Sequence, residues 1–403
     1  MSKTPHIVIA SPVRQSPKIL RYFLDSLANL DTDSFFIEYL FADDNDVEES
    51  RKLLREFIAK YPAARWVQVD QRRESYVKND VTHHWTARLM EHVGTVKDEI
   101  IRYALDCGAT HLFLVDSDLV LHPLTLQQLI ALDLPIVSEV FWTKWQPNTQ
   151  ELPQVWLGGQ YRLYQQSPGE KLSAEVQAVR TQDVLAKLRK PGVYEVGGLG
   201  ALTLFRRDAL ARGVRFAPIK NLDLIGEDRH LCVRAAALGI PLHVDTHYPA
   251  LHLYRTEDLV KVPEYVSRTR QEYQISRALR FFFEDLYRTS ITTEPAPIRF
   301  ATGALQEAVQ ERRERSSDTV RTDVVIERPE IHSVIVDNVE RGSSRVKFTL
   351  INSGCENGEA FRDFFTGEAS VVLEEGEWLV SEFELIPTPP SRPTSLEELA
   401  SGN

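Results

Sequence analysis

Two aspartates that could bind a metal ion follow one strongly apolar segment. Asp116-Ser117-Asp118 comes directly after residues 111–115, HLFLV, a continuous apolar run typical of a strand buried on both faces. Side chains two residues apart in an extended chain point to the same side, so both carboxylates can face one ion. Such oxygen ligands suit Mg²⁺ or Mn²⁺, either of which would hold a diphosphate. The alternatives are solvated loop aspartates or a cap for the helix after Pro123.

A second pair of carboxylates opens a predicted helix at Gly226-Glu227-Asp228. Acidic residues are routine helix caps there, and the helix dipole favours them. The same position lies on the carboxyl-terminal side of the predicted sheet, where a general base could meet an acceptor hydroxyl. We favour the catalytic interpretation for both residues, with capping as the alternative.

A histidine and a glycine cluster supply further candidates. His252 follows a predicted strand, and a neutral imidazole is a suitable third ligand for Mn²⁺ beside carboxylates. His243 and His247 lie nearby, so the choice among the three histidines stays open. Gly197-Gly198-Leu199-Gly200 permits close backbone approach to a ligand at Gly198, although glycines before a strand are equally typical of a turn.

The elements that must position these residues alternate between strands and helices. Residues 6–10 and 35–42 are predicted strands that end at Ser11-Pro12 and at Asp43-Asp44, and helical spacing of apolar residues separates them. This alternation predicts a mostly parallel sheet covered on both sides. Ligands of such sheets bind at the carboxyl ends of the strands.

Two polar segments are predicted as loops around the sheet. Residues 71–86 are polar and aperiodic, and residues 96–107 then form an amphipathic helix. Residues 142–166 are rich in Trp, Gln and Pro and are predicted to form a long functional loop. Trp142 and Trp145 could stack on sugar faces there, or simply pack within the loop.

The pattern changes after about residue 258. A long helix is predicted through Ile275 and Leu286, followed by alternating strands with a hairpin turn at Glu375-Gly376. We therefore predict an α/β domain over residues 1–258 and an α+β domain over 259–386. The Pro-, Ser- and Glu-rich residues 387–403 are predicted to be disordered.

The composition limits the class of protein. A chain of 403 residues exceeds what one core usually serves, and a net charge of -11 without a Lys/Arg-rich face argues against nucleic-acid binding. Three distant cysteines give neither a disulfide framework nor zinc-finger spacing. No apolar stretch approaches the roughly 18 residues of a membrane span, so we expect a cytoplasmic protein.

The first 255 or so residues resemble family 2 glycosyltransferases of the GT-A fold. The motifs that carry the resemblance occur in the family's order: Asp116-Ser117-Asp118, Gly197-Gly198-Leu199-Gly200, Gly226-Glu227-Asp228 and His252. One departure is Lys97-Asp98, which stands where many members have Arg-Asn. The resemblance implies a nucleotide-sugar donor, a UDP- or GDP-sugar, and a Mn²⁺ or Mg²⁺ cofactor.

The resemblance also implies roles for single residues. The end of the first strand, with Pro12 and Arg14, would lie near the nucleotide, and Asp43-Asp44 would contact the base or ribose. Asp118 would be the direct metal ligand beside Asp116. Asp228 would be the base of an inverting transfer, although spacing leaves retention open.

Residues from about 265 to 386 resemble a nuclear transport factor 2-like domain, on the ending that runs from Gly367-Glu368-Ala369 to Phe383-Glu384-Leu385. This resemblance implies dimerisation or acceptor binding.

Two rival functions remain for the protein. A nucleotidyltransferase usually carries a glycine-rich first loop, whereas residues 11–15 contain no glycine. A non-catalytic nucleotide- or sugar-binding scaffold would retain the carboxylates only as caps.

Overall fold

The structure, a computed structural model, describes residues 4–69, 86–223, 226–288, 298–316, 324–337, 339–356, 359–389 and 394–395. The loop predicted at 71–86 and most of the tail predicted to be disordered lie outside these residues. The chain divides into two compact units, Met1–Tyr265 with Pro393–Asn403, and Val266–Arg392.

The strands are β1 (His6–Val13), β2 (Phe36–Asp43), β3 (Ala64–Gln68), β4 (His111–Val115), β5 (Leu119–Val120), β6 (Ile136–Thr143), β7 (Leu152–Pro153), β8 (Val155–Trp156), β9 (Val193–Val196), β10 (Gly198–Leu199), β11 (Leu202–Arg206), β12 (Leu242–His252), β13 (Val324–Val336), β14 (Ser343–Glu356), β15 (Glu359–Glu374), β16 (Glu377–Pro387) and β17 (Thr394–Ser395). The helices are α1 (Pro17–Ala28), α2 (Glu48–Ile58), α3 (Ala87–Asp106), α4 (Thr125–Ala131), α5 (Ala174–Leu188), α6 (Arg207–Ala211), α7 (Glu227–Ala237), α8 (Val262–Arg288) and α9 (Gly303–Ser316), with a 3₁₀ helix at Thr256–Lys261.

The first unit is built on one large sheet in the strand order β17-β9-β12-β6-β11-β4-β1-β2-β3. Strand β1 pairs in parallel with both β2 and β4, whereas β11 is antiparallel to its neighbours β4 and β6. The predicted mostly parallel sheet is therefore confirmed. Because β1, β2 and β4 run in the same direction, their carboxyl ends meet at one edge of the sheet.

Both faces of this sheet are buried. Leu112 and Leu114 of β4 face a core that contains α3 and α7, while Phe113 and Val115 face a core that contains α1 and α2. Strand side chains alternate between faces, so a strand covered on both sides needs an unbroken apolar run. That requirement explains the HLFLV segment.

Helix α3 is longer than its apolar spacing predicted. It begins at Ala87 rather than at residue 96, and the Thr86 side chain accepts a hydrogen bond from the Leu89 backbone N–H at 3.1 Å. Threonine is a favourable N-cap because it satisfies a backbone donor of the first turn. The start was missed because few residues of the first turns are buried.

The second unit contains an antiparallel sheet in the order β13-β14-β15-β16. Ile275, Leu279 and Phe282 of α8 pack in its core, as the predicted long helix requires. The hairpin predicted at Glu375-Gly376 is confirmed between β15 and β16, with φ values of 51° and 88°. A separate antiparallel domain is thus confirmed, while its exact boundary at 258/259 stays a prediction. Among the residues described, no helix combines the length and apolar character needed to cross a bilayer.

Candidate active site

Three carboxylates surround one buried ammonium group at the carboxyl edge of the sheet. Lys97 Nζ lies 2.9 Å from Glu227 Oε1, 3.3 Å from Asp228 Oδ1 and 3.8 Å from Asp116 Oδ1. The Lys97 side chain is only 1% exposed. Burial acts to lower the pKa of Lys97, but attraction to the three carboxylates outweighs it and holds that pKa well above its ordinary value. The lysine is therefore a fixed positive charge in this cluster.

Close approach of two helices makes this arrangement possible. Lys97 lies on α3, and Glu227 and Asp228 are the first two residues of α7. A side-chain carbon added to Gly94 of α3 would lie 3.3 Å from Glu227 Cβ, so glycine leaves the room that α7 occupies. Glycine within a helix costs roughly 1 kcal/mol relative to alanine. The Phe216 ring, centred 5.1 Å from Lys97 Nζ, also contacts the ammonium.

Sequence reasoning treated Lys97 only as a departure from a family pattern. A signal was present, because Lys97 falls on the same helical stripe as the buried residues Ile100, Ile101 and Ala104. Lysine is almost never fully buried unless it is paired. A lysine on an apolar stripe therefore predicts buried carboxylate partners elsewhere in the chain.

Two carboxylates of this cluster, Asp228 and Asp116, have raised pKa values. Burial raises the pKa of Asp228 to about 7, where the neighbouring carboxylates add to the effect and Lys97 opposes it. Burial likewise raises the pKa of Asp116 to about 6 against the attraction of Lys97. A general base works best when its pKa lies near the working pH. Asp228 has that property. The N-cap of α7 is Gly226 and no side chain makes a capping hydrogen bond there, so the structure does not support the capping alternative for Glu227 or Asp228.

Asp118 and His252 lie together on the other side of Asp116. His252 Nε2 is 3.5 Å from Asp118 Oδ2, and its Nδ1 is 2.8 Å from the Thr143 hydroxyl. Pairing of β5 with β12 produces this approach, since His252 stands opposite Leu119 in the register. Metal-binding histidines are commonly oriented by a hydrogen bond to the second ring nitrogen. The pair therefore suits a divalent cation.

The remaining proposed ligands are placed differently. Asp116 Oδ1 faces Lys97, and Asp116, Asp118 and His252 do not form a compact ligand group within 4.8 Å. His247 Nδ1 contacts Asp245 instead, and His243 is buried. Of the three candidate histidines, His252 is thus the one beside the aspartate motif, and a three-ligand metal site stays a prediction.

A cavity next to the aspartate motif brings the predicted nucleotide residues together. Among the described residues, its polar lining includes Arg14, Gln15, Asp44, His92, Asp116, Ser117 and Asp118, and Pro12 contributes to its wall. Asp44 lies 3.7 Å from Arg14 and 3.5 Å from His92, measured between the charged atoms. Burial raises the pKa of Asp44 although both of these neighbours act to lower it. His92 was not predicted from the sequence.

Asp43 and Gly198, which the sequence predicted to contact a ligand, contact other residues of the protein. The Asp43 carboxylate is buried and accepts hydrogen bonds from the Asn45 backbone N–H at 3.0 Å and from its side-chain amide at 2.8 Å. Gly198 pairs with Trp156, and an added side-chain carbon would lie 2.0 Å from the indole. Asp44 rather than Asp43 lines the cavity, and packing of Trp156 accounts for glycine at 198.

An aromatic residue missed in the sequence lies beside Asp228. Tyr161 has a φ of 58°, which is unusual for a residue with a side chain, and its ring contacts Trp156 edge to face at 4.9 Å. A side-chain carbon added to Gly226 would lie 2.5 Å from the Tyr161 hydroxyl. Burial raises the pKa of Tyr161 to about 12, and Asp228 adds to that effect. Nothing in the local pattern singles out this tyrosine within residues 142–166.

The two tryptophans that the sequence singled out contact other side chains. The Arg189 guanidinium lies 3.4 Å from the centre of the Trp142 ring, and Trp145 meets Tyr254 edge to face at 5.3 Å. These contacts favour the packing interpretation for Trp142 and Trp145. The aromatic pair Trp156 and Tyr161 is the one adjacent to the carboxylates.

Residues 4–147 match the family model for the N-terminal domain of glycosyltransferase family 25. A Bos taurus protein named probable inactive glycosyltransferase 25 family member 3 is 30% identical over 139 residues, which cover 33% of this chain and 23% of that protein. A Drosophila pseudoobscura pseudoobscura protein named glycosyltransferase 25 family member is 28% identical over 139 residues, covering 33% and 22%. The chain thus matches less than a quarter of the length of these relatives.

Among solved structures, the mannosyltransferase PcManGT from Pyrobaculum calidifontis, in complex with GDP-mannose and Mn²⁺, aligns with 61% of this chain and 58% of its own. Its identity is 15% and its TM-score 0.36, too low to support a conclusion. The family 25 match contains Lys97, Asp116 and Asp118 but ends before Asp228 and His252. A resemblance to glycosyltransferases is confirmed for residues 4–147 by the family 25 model, while the resemblance to family 2 inferred from the motifs stays a prediction.

Proposed function

We propose that this protein is a metal-dependent glycosyltransferase that moves a sugar from a nucleoside diphosphate-sugar to an acceptor hydroxyl with inversion. One observation carries the proposal: Asp228, with a pKa near 7, lies in one carboxylate cluster with Asp116, next to the cavity that Arg14 and Asp44 line. This places a group able to accept a proton close to groups able to bind a nucleotide. The family match over residues 4–147 supports the same class.

The donor side of the proposal uses the cavity. Arg14 offers a positive charge there to the diphosphate, and Asp44 is available to hydroxyl groups of the ribose. Asp118 and His252 would hold Mn²⁺ or Mg²⁺, which when bound would neutralise charge on the departing diphosphate.

The acceptor side of the proposal uses the two oxygens of Asp228 differently. Oδ1 faces Lys97, and Oδ2 faces Gly200, where an added side-chain carbon would lie only 3.1 Å away. Glycine therefore keeps this side of the carboxylate open. Oδ2 accepts the proton of the acceptor hydroxyl as that oxygen bonds to the anomeric carbon and the bond to the diphosphate breaks. Attack opposite the leaving group inverts the anomeric centre.

Lys97 has a positioning role in this reaction. Its ammonium holds Oδ1 of Asp228 and Oε1 of Glu227, which fixes the orientation of the base. The same charge limits how far burial can raise the pKa of Asp228. Without it, the pKa of Asp228 would rise further above its ordinary value.

Slow hydrolysis of the donor tests this function without a known acceptor. The full chain is incubated with UDP- and GDP-sugars and Mn²⁺, and release of the nucleoside diphosphate is measured with and without EDTA. Metal-dependent release from one donor, lost in Asp228→Asn, supports the proposal. Binding of a nucleotide-sugar without any release would instead support a non-catalytic scaffold, which the word inactive in the name of the bovine relative keeps open.

For the second unit, we propose a nuclear transport factor 2-like fold that self-associates or binds the acceptor. The antiparallel sheet and its α8 core support this proposal. Light scattering of the isolated fragment from residue 266 to 392 should show a folded dimer. A folded monomer would leave acceptor binding as the role to test.

A further inference from the structure

A separate cluster of metal-binding residue types lies at the opposite, amino-terminal edge of the same sheet. His6 is the first residue of β1, Glu38 lies near the start of β2, and Cys107 is the C-cap of α3. In the parallel register His6 stands beside Phe36, and Val8 beside Glu38. His6 and Glu38 therefore share the face of the sheet on which α3 packs, and the end of α3 brings the thiol to them.

The spacing of the three donor atoms suits a small cation. One atom each of His6, Glu38 and Cys107 lies within 4.8 Å of the others, and this is the only such group of three His, Cys, Asp or Glu residues among the residues described. His6 Nε2 and Glu38 Oε2 are 3.2 Å apart. Zinc bonds of about 2.0–2.3 Å in a tetrahedral arrangement place ligand atoms roughly 3.3–3.8 Å apart. Only the exposed Cys107 side chain needs to move to complete that arrangement.

The carboxylate is already oriented as a metal ligand would be. Glu38 Oε1 accepts hydrogen bonds from Arg65 Nε at 3.0 Å and from the Tyr103 hydroxyl. Those contacts leave Oε2 directed at His6, on a side chain that is 9% exposed. Hydrogen-bonded carboxylates of this kind are typical of metal sites, where the outer partners fix the ligand.

The donor set selects the kind of ion. A thiolate and an imidazole beside one carboxylate suit Zn²⁺ rather than Mg²⁺ or Ca²⁺, which prefer oxygen alone. The thiolate and the carboxylate together carry two negative charges toward the dication, and Arg65, which lies 3.0 Å from Glu38 Oε1, shares that of the carboxylate. Three protein ligands leave one tetrahedral position for water.

We propose that His6, Glu38 and Cys107 form a Zn²⁺ site that ties β1, β2 and α3 together and is independent of the glycosyltransferase site. On binding, the Cys107 S–H bond breaks, the sulfur bonds to the metal, and the proton passes to the buffer. No change of oxidation state takes place. Sequence spacing could not reveal this site, because its residues are at positions 6, 38 and 107.

Cobalt(II) provides the test, since only a thiolate ligand gives an intense sulfur-to-cobalt absorption band in the near ultraviolet. Titrating the full-length, metal-free protein with Co²⁺ should produce this band, and adding Zn²⁺ should abolish it by displacing the cobalt. Calorimetry in buffers of different ionisation heat should show that about one proton is released per ion bound. Tyr103→Phe should weaken binding about 10-fold through the loss of an outer hydrogen bond.

Matched variants make the result decisive. Cys107→Ser and His6→Gln should each lose the band while near-ultraviolet circular dichroism shows a folded protein. Cys355→Ser, which removes the thiol of the second unit, and Asp118→Ala, which alters the other proposed metal site, should keep it. Absence of a sulfur band in the parent protein, or its persistence in Cys107→Ser, would overturn the proposal.

Discussion

Two groups of carboxylates in the first unit differ in what surrounds them. Asp116, Glu227 and Asp228 enclose the ammonium of Lys97 and lie beside a cavity. Glu139 and Asp245 instead stand opposite each other on the paired strands β6 and β12 and are almost completely buried. The same residue type therefore occurs in an accessible, cation-paired setting and in a closed one.

The closed pair is held by the backbone. Glu139 Oε1 accepts hydrogen bonds from the backbone N–H groups of Val140 and Tyr248, and Asp245 Oδ1 accepts those of Thr246 and His247. These acceptors lie where the register of β12 on β6 shifts after Asp245. Glu139 and Asp245 thus stabilise the irregular part of β12 that leads to His252.

Acidity alone does not separate the two groups. Burial raises the pKa of Glu139 well above its ordinary value, as it raises the pKa of Asp228. What distinguishes Asp228 is a fixed cation on one oxygen and a side chain that is 26% exposed. A perturbed pKa indicates a functional site only together with access and a specific partner.

The largest expected effect separates the base from the closed pair. Asp228→Asn should lower metal-dependent release of nucleoside diphosphate by roughly 10²- to 10⁴-fold, the usual contribution of a positioned base. Donor affinity, measured by calorimetry, should stay nearly unchanged because the amide has the same shape and the base contacts the acceptor. Asparagine also caps a helix as well as aspartate.

A wild-type rate in Asp228→Asn would show that Asp228 is not the base and leave Glu227 as the next candidate. Asp118→Ala provides the contrasting variant. It should weaken donor binding in Mn²⁺ but change binding in EDTA little, because a metal ligand is lost. Equal donor affinity with and without EDTA in the parent protein would remove the reason for a metal.

The next effect concerns the ammonium group at the centre of the first group. Lys97→Met should lower the free energy of unfolding by about 1.5–3 kcal/mol at pH 8, since charge-assisted hydrogen bonds to partly exposed carboxylates are lost. Denaturant titration measures the loss. Lys52→Met is the matched control, because Lys52 is exposed and lies 3.8 Å from Glu56, and surface pairs contribute about 0–1 kcal/mol. Equal losses in the two variants would show that Lys97 is not the charge that stabilises the cluster.

Local sequence patterns predicted the helices and strands but not the contacts between them. The HLFLV run predicted β4 and the position of Asp116 at its end, and the turn residues Glu375-Gly376 predicted a hairpin. Both predictions succeeded because a strand and a tight turn depend mainly on residues that are neighbours in the chain. The meeting of Lys97 with Glu227 requires the order of strands and the close approach at Gly94. Residues 130 positions apart leave no local signal of that contact.

The histidines illustrate the same limit. Sequence spacing favoured His252 but kept His243 and His247 as alternatives, whereas pairing of β12 with β5 brings His252 to Asp118. Tyr161 was missed because its relation to Gly226 depends on the path of a long connection. The sequence therefore predicted which residues lie at this edge of the sheet but not which partner each side chain contacts.

A pH-dependent effect follows from the raised pKa of Asp228. Between its ordinary value of 3.8 and its folded value of about 7, the folded protein holds a proton that the unfolded chain has released. The stability contributed by this group is therefore complete below about pH 4 and is lost as the pH rises to about 7, with a slope of at most about 1.4 kcal/mol per pH unit. The difference in unfolding free energy between wild type and Asp228→Asn should fall over this range and level off above it. A difference that rises with pH would mean that Lys97 lowers the pKa of Asp228 more than burial raises it.

The smallest expected effect tests the closed pair. Glu139→Gln keeps the oxygen that accepts from Val140 and Tyr248, and it replaces Oε2, which lacks a hydrogen-bond partner among the described residues, with an amide group. That amide can donate to Asp245 Oδ2, an oxygen that likewise has no partner within the described part of the chain. At a pH above the raised pKa of Glu139, one new buried hydrogen bond and the loss of like-charge repulsion should raise the free energy of unfolding by about 1 kcal/mol. As the pH falls through that raised pKa the gain should shrink, because wild-type Glu139 is then protonated and can donate in the same way. Nucleoside diphosphate release should match that of wild type, since Glu139 contacts none of the groups proposed to act on the substrate. A loss of turnover at unchanged stability would mean that the closed pair acts in the reaction, and the distinction between the two carboxylate groups would then fail.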